Sequence, residues 1–165
     1  MYATEVGNPA ERTSAQSGPS SGADFEYLTF VTTDIVGSAD LHRRHPDAMA
    51  AVIEAHDALL HGAIRAEGGD PFKHTGDGVI ATFPSPLAAV RALVAAQRAM
   101  RAAEWGAPGR PLLRAGVHFG PARARGGDWF GPAMSTVHRL EGAANPDQIL
   151  VSEAAVTGMD GTPAE

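Results

Sequence analysis

The feature that most restricts the fold is the order in which two hydrophobic periods alternate along the chain. Runs with the two-residue period of strands alternate with longer runs of helical period, and Gly, Pro and Asp-Gly steps separate them. Tyr27–Thr33 is β-branched and aromatic, which predicts a strand that stops at Asp34. Gly37-Ser38 predicts a helix start with Ser38 as N-cap. Pro46 interrupts that helix, and a longer one resumes to about Ala66 with Met49, Val52, Ile53, His56, Leu59, Leu60 and Ile64 on one stripe. Gly68-Gly69 ends it. Short strands at Pro71–Thr75 and Val79–Phe83 then flank Gly76-Asp77-Gly78, where Asp-Gly marks a hairpin. Ser85-Pro86 supplies the N-cap and first residue of a helix whose expected buried stripe is Leu87, Val90, Leu93, Val94, Gln97 and Met100. A strand pair is expected at Leu112–Phe119 and Ala122–Arg125 around Gly120-Pro121, then a helix over Pro132–Ala143 and a last strand at Ile149–Val151. The order is β-α-α-β-β-α-β-β-α-β. Without the second hairpin partner it is α+β, a ferredoxin-like split β-α-β sheet with helices on one face.

The 165 residues suffice for one domain, expected over 25–165, preceded by a Ser-, Gly- and Pro-rich leader over 1–24 that reads as disordered. A net charge of −6 argues against a nucleic-acid or anionic-membrane surface. No cysteine is present, so disulfides, thiolate metal sites and cysteine nucleophiles are excluded. The seven histidines form no metal-binding spacing; His56 and His61 diverge around a helix, and most read as surface or packing residues. No membrane-length apolar run and no secretory signal is visible, so a cytoplasmic protein without membrane contact is expected. Of the 13 Lys and Arg residues, Lys73 is the only lysine.

Three constellations carry chemistry. Asp34 ends a strand just before Gly37-Ser38 and a helix start, where free N–H groups suit phosphate oxygens and a carboxylate suits a hard cation. Asp77 sits in the hairpin Phe72-Lys73-His74-Thr75-Gly76-Asp77-Gly78. Each aspartate taken singly reads more readily as a turn residue. In a split β-α-β sheet, however, the first strand lies beside this hairpin, so Asp34 and Asp77 can converge as two-metal phosphoryl chemistry requires. Ser135 and Arg139, four apart on a predicted helix, share a face. The arginine there either clamps a phosphoryl group or simply pairs with a neighbour such as Glu141.

With TTDIVGS, RAGVHFG, FKHTGDG and GDWFGPAMSTVHRL in view, the sequence resembles the class III adenylate and guanylate cyclase catalytic domains over nearly all of residues 27–156. The resemblance implies the class III cyclase fold and conversion of ATP to cyclic AMP with two Mg²⁺ or Mn²⁺ ions per site. It implies that Asp34 and Asp77 bind both ions with help from the Ile35 carbonyl. Gly37 and Ser38 would lie on the phosphates, and Ser135 and Arg139 would take the catalytic helix positions. Lys73 and Asp128 fall at the purine-reading positions, and their chemistry fits adenine. Lysine donates to N1 and aspartate accepts from the 6-amino group, whereas guanine reverses that pattern. The resemblance also implies a head-to-tail homodimer, with Asp34 and Asp77 from one chain and Lys73, Asp128 and Arg139 from the other.

Three departures accompany the resemblance. Ser135 stands where the family usually has asparagine, His138 where a small residue is commoner, and the chain stops at Glu165, before the usual final hairpin and its lysine. The alternative function is a degenerate cyclase-homology domain that binds nucleotide or dimerises to regulate another activity. A third reading takes the whole as a purely structural ferredoxin-like module. Gly68-Gly69-Asp70-Pro71-Phe72 looks like the signature hairpin of diguanylate cyclases, but it lies at a helix end and is read as a decoy.

Overall fold

The computed structural model describes residues 25–159; the expected leader lies outside the described residues. The chain runs β1 (Glu26–Ile35), α1 (Ser38–Arg44), α2 (Pro46–Ala66), β2 (Asp70–His74), β3 (Val79–Phe83), α3 (Pro86–Ala102), β4 (Leu113–Arg125), β5 (Asp128–Phe130), α4 (Pro132–Ala143), β6 (Ile149–Val151) and α5 (Glu153–Met159). Strand order is β2-β3-β1-β4-β5, with β6 also on β4. Along β2, β3, β1 and β4 each strand runs antiparallel to its neighbour, the ferredoxin-like pattern expected. β6 lies parallel to β4 because α4 carries the chain back across the sheet between them.

Alternation along β1 divides the core. Val31 faces α2 and α3 with Leu60, Ile64, Leu93 and Met100, whereas Phe30 faces α4 with Ala133 and Val137. Helices therefore cover both faces, not one. The cause lies in β4, where Gly116 and Gly120 open the second face to α4. A Cβ on Gly116 would come within 2.6 Å of the Val137 carbonyl oxygen. Any side chain there would lift the helix off the sheet.

Other local expectations are corrected as well. Gly120-Pro121 does not turn; β4 runs straight through it, with Pro121 opposite Tyr27. The hairpin lies at Gly126-Gly127, both at positive φ (62° and 82°), and leads into β5. Two consecutive left-handed glycines give the twist a tight hairpin needs, which Gly-Pro does not. On α3 the buried face is Pro86, Ala89, Ala92, Leu93, Ala96, Gln97 and Met100, while Leu87 is 40% exposed. The small alanines, not the larger Leu87, Val90 and Val94, let this helix approach the sheet closely. Ser85 caps α3 as expected, accepting from the Ala88 amide at 3.2 Å. Gly68-Gly69 terminates α2, the Gly69 amide reaching the Ile64 carbonyl at 2.9 Å, so the diguanylate-like string is a helix stop followed by the first residues of β2. Across the far end, Arg110 grips Asp147 with two hydrogen bonds (2.9 and 2.7 Å) and ties the α3–β4 loop to the turn before β6.

On α2, five of the seven predicted stripe residues are buried, among them His56, which is 0% exposed. Burial holds its pKa below the ordinary 6.5 against the opposing pull of Asp57. The unfolded chain thus takes up this proton before the native one does. Stability is complete above the ordinary value and falls as pH drops toward the lowered one. The melting temperature should decline between about pH 7 and 5, and His56→Asn should flatten part of that slope. His61 and His118, also held down by burial, act in the same direction. Thermal melts across that range check it; an unchanged slope in the variant would refute the assignment.

Candidate active site

β1 delivers Asp34 to the edge of the molecule because Ile35, 1% exposed, anchors the strand end. The neighbouring hairpin is drawn against it. Val79 donates its amide to Thr33 Oγ1 at 3.0 Å, and Gly78 lies so close that an added Cβ would sit 1.9 Å from the Thr33 carbonyl oxygen. Only glycine fits there, and that approach brings Asp77 beside Asp34. Burial raises the Asp34 carboxyl above its ordinary range, and the charge of Asp77 raises it further. Arg114 opposes both. The two carboxylates therefore repel one another across a shared space.

Gly37 makes the left-handed turn into α1 (φ 69°), with open space beside it. Ser38 is the first helical residue and not the N-cap; no side chain caps α1. Its hydroxyl instead donates to Asp77 Oδ2, fixing that carboxylate. Arg114, opposite Asp34 in the β1–β4 register, contacts Asp34 Oδ2 through Nη2 at 2.6 Å and through Nε at 2.9 Å. Its Nε also lies 2.7 Å from Glu141 on α4. Glu141 thus lies in ion-pair range of Arg114, without a hydrogen bond to it, and no ion pair among the described residues joins it to Arg139. Burial raises its carboxyl above the ordinary range, with Arg114 opposing. Neither Arg114 nor Glu141 was singled out as a site residue in the sequence. The signal for the first was an arginine inside RAGVHFG, at a strand position otherwise flanked by apolar residues.

A second pair forms from distant segments. β2 carries a bulge between Pro71 and Lys73, so that Lys73 takes the place opposite Ile80 and Phe72 is the extra residue. A bulge re-aims side chains. Phe72 packs with Trp129 and Phe30, the last two edge-to-face at 5.8 Å, while Lys73 donates to Asp128 Oδ2. That bond, and a 2.9 Å bond from the Trp129 amide, hold the Asp128 carboxyl below its ordinary range.

The third set stands apart. Ser135 and Arg139 lie exposed on α4, and Arg139 donates to Thr136 Oγ1 at 3.4 Å. Among the described residues, no hydrogen bond or ion pair joins Lys73, Asp128 or Arg139 to Asp34 or Asp77. The chain gathers two separate pairs, the carboxylates Asp34 and Asp77 and the ion pair of Lys73 with Asp128. Among the described residues no three or more His, Asp or Glu side chains are grouped to cage an ion. A Mg²⁺-type ion needs none, since it takes one or two carboxylates and fills its shell with phosphate oxygens and water.

Among solved structures, an adenylate/guanylate cyclase/hydrolase from Silicibacter pomeroyi is 29% identical with a TM-score of 0.74, covering 86% of this chain and 84% of that one. The chain belongs to the class III adenylate/guanylate cyclase catalytic domains. Curated relatives agree. The cyclase domain is 31% identical over 126 residues to a Rhizobium meliloti protein provisionally named adenylate cyclase 3, covering 74% of this chain. It is 28% identical over 158 residues to the adenylate cyclase of Schizosaccharomyces pombe, covering 81%. The chain spans 22% and 9% of the lengths of these two relatives. No protein-family model matches the chain. Also, among the described residues no helix of the cyclase domain is long and apolar enough to cross a membrane.

Proposed function

We propose that the domain converts ATP to 3′,5′-cyclic AMP and pyrophosphate in a head-to-tail homodimer. The observation that carries this reading is the Lys73–Asp128 pair, which joins residues 55 positions apart into an adenine-type donor and acceptor. The pairing leaves both groups with capacity: an ammonium has three donors and a carboxylate about four acceptor sites. Lys73 is therefore free to reach purine N1 while Asp128 accepts from the 6-amino group.

Asp34 and Asp77 fit a pair of divalent ions. Burial and, after it, the charge of Asp77 raise the Asp34 carboxyl; a cation would relieve that repulsion, and the donors are hard oxygens. Such ions, when bound, lower the charge on the triphosphate and the pKa of the attacking hydroxyl. In the reaction the ribose 3′ oxygen bonds to the α-phosphorus as the bond from that phosphorus to the β-phosphate bridge breaks. Pyrophosphate departs and the hydroxyl proton passes to solvent water. Asp77, held by Ser38, and Asp34, held by Arg114, keep their carboxylates oriented through this change. Arg139 of the opposing protomer supplies positive charge to the developing pentavalent phosphorus. The opposing Ser135 lies along the ribose.

Serine at 135 favours the second reading, a nucleotide-binding regulatory domain, because its hydroxyl is shorter than an amide and has no paired donor and acceptor. Cyclic AMP should form from ATP and Mn²⁺ at high protein concentration, and an Asp34→Ala control should be silent. Ser135→Asn should raise turnover by about 10- to 100-fold, the scale expected from restoring ribose orientation. Bound ATP with no product in either protein would favour the regulatory reading.

A further inference from the structure

The hairpin that presents Asp77 has a second support, built from residues the proposed chemistry does not use. His74, the last residue of β2, lies 2.7 Å through Nε2 from Asp57 Oδ2 on α2, and its Nδ1 accepts from the Gly76 amide at 3.1 Å. The Gly76 amide needs a lone pair on Nδ1, so the ring proton sits on Nε2 and is donated to Asp57. The other oxygen of Asp57 takes Nδ1 of the fully buried His56 at 2.9 Å. His61 closes the group, its ring edge-on to His74 at 6.2 Å. A continuous chain thus runs from a core histidine, through one carboxylate and one imidazole, to the residue before Asp77.

This arrangement matters because the turn is otherwise weakly held. Gly76 has φ +100° and an added Cβ there would meet nothing within 4 Å, so neither sterics nor packing fixes its backbone. Within the turn, one further backbone bond, Thr75 N–H to the Gly78 carbonyl at 2.9 Å, closes the loop. Ser38 holds the Asp77 side chain but not the peptide beneath it.

We propose that His74 is a positioning residue for the metal carboxylate Asp77, a rigid strut that transmits the placement of α2 to the Gly76 peptide through Asp57. This deepens the proposed function and rests on its metal reading. Asp57 is the fixed end because His56 occupies its second oxygen. An asparagine at 57 presents one acceptor oxygen in place of two, so one of the two histidines meets an N–H₂ donor instead. Partners that orient metal-binding residues change metal affinity by about 10- to 100-fold when removed.

The test is Mn²⁺ binding to the full chain without nucleotide, followed by the electron paramagnetic resonance of the free ion, alongside metal-free thermal melts. His74→Leu keeps bulk and loses both hydrogen bonds; it should weaken Mn²⁺ binding by about tenfold or more. Asp57→Asn should weaken it in the same direction. His74→Asn retains an oxygen able to accept from the Gly76 amide and should recover a large part of the loss. Wild-type affinity in His74→Leu would overturn the proposal, as would equal loss in His74→Leu and His74→Asn, since packing alone would then account for both. If the wild-type chain bound no Mn²⁺, the metal reading itself would fall. If His74→Leu does not fold, the comparison of Asp57→Asn with wild type decides.

Discussion

Asp77→Asn should lower cyclic AMP production by about 10³-fold or more while leaving the metal-free domain as stable as before, or more so. The two effects have one cause. Burial raises the Asp34 carboxyl and the charge of Asp77 raises it further, so neutralising Asp77 removes that repulsion from the folded state. The asparagine oxygen still accepts from Ser38, so the hairpin keeps its tie to α1. Asp34→Asn is a poorer probe, because it also removes the negative charge that pairs with Arg114 at 2.6 Å. Product formation and thermal melts on the same preparation separate the outcomes. Activity within tenfold of wild type would remove the carboxylate pair from the chemistry. The same variant tests the shared site. Mixed with Arg139→Ala chains, each silent alone, it should recover about a quarter of wild-type activity, because half of randomly formed dimers carry one intact site of two. No recovery would refute the head-to-tail arrangement.

Reversing the purine pair should be nearly as consequential. In Lys73→Glu with Asp128→Lys, the acceptor and donor exchange places. Guanine N1–H then meets a carboxylate and O6 an ammonium, while adenine meets unpaired groups on both sides. A buried polar edge left unpaired costs about 1–3 kcal/mol, so two such losses shift the ATP-to-GTP preference by about 100-fold or more. The exchange retains an ion pair between the two positions and so preserves the link from β2 to β5. Steady-state kcat/KM for both nucleotides measures it. An unchanged ratio would show that base recognition lies elsewhere.

Much of this was legible before any coordinates. The hairpin at Gly76-Asp77-Gly78 and the helices starting at Pro86 and Pro132 follow from local rules: glycine takes left-handed φ, and proline opens helices. The ordered motifs likewise pointed to Asp34, Asp77, Lys73 and Asp128. The errors share an origin. Gly120-Pro121 looked like a turn, yet β1 holds that backbone in extended register over ten pairs. Leu87 looked buried, yet the sheet accepted the alanine face of α3. Ser38 looked like a cap, yet its hydroxyl found a stronger acceptor in Asp77, 39 residues away. Arg114 and His74 lie inside motifs that assign them no role, and Glu141 and Asp57 lie in none, because each acquires its meaning from a partner on another element.

By itself, then, the sequence determined what depends on neighbours along the chain. That covers the alternation of helix and strand, the turn glycines, and the identity of the carboxylates and of the single lysine. Tertiary structure decided what depends on distance through space. It brought Asp34 against Asp77 because Gly78 admits no side chain, aimed Lys73 at Asp128 through a bulge, and set helices on both faces because β4 carries glycines toward α4. Periodicity records which way a residue points. It does not record what waits for it across the sheet.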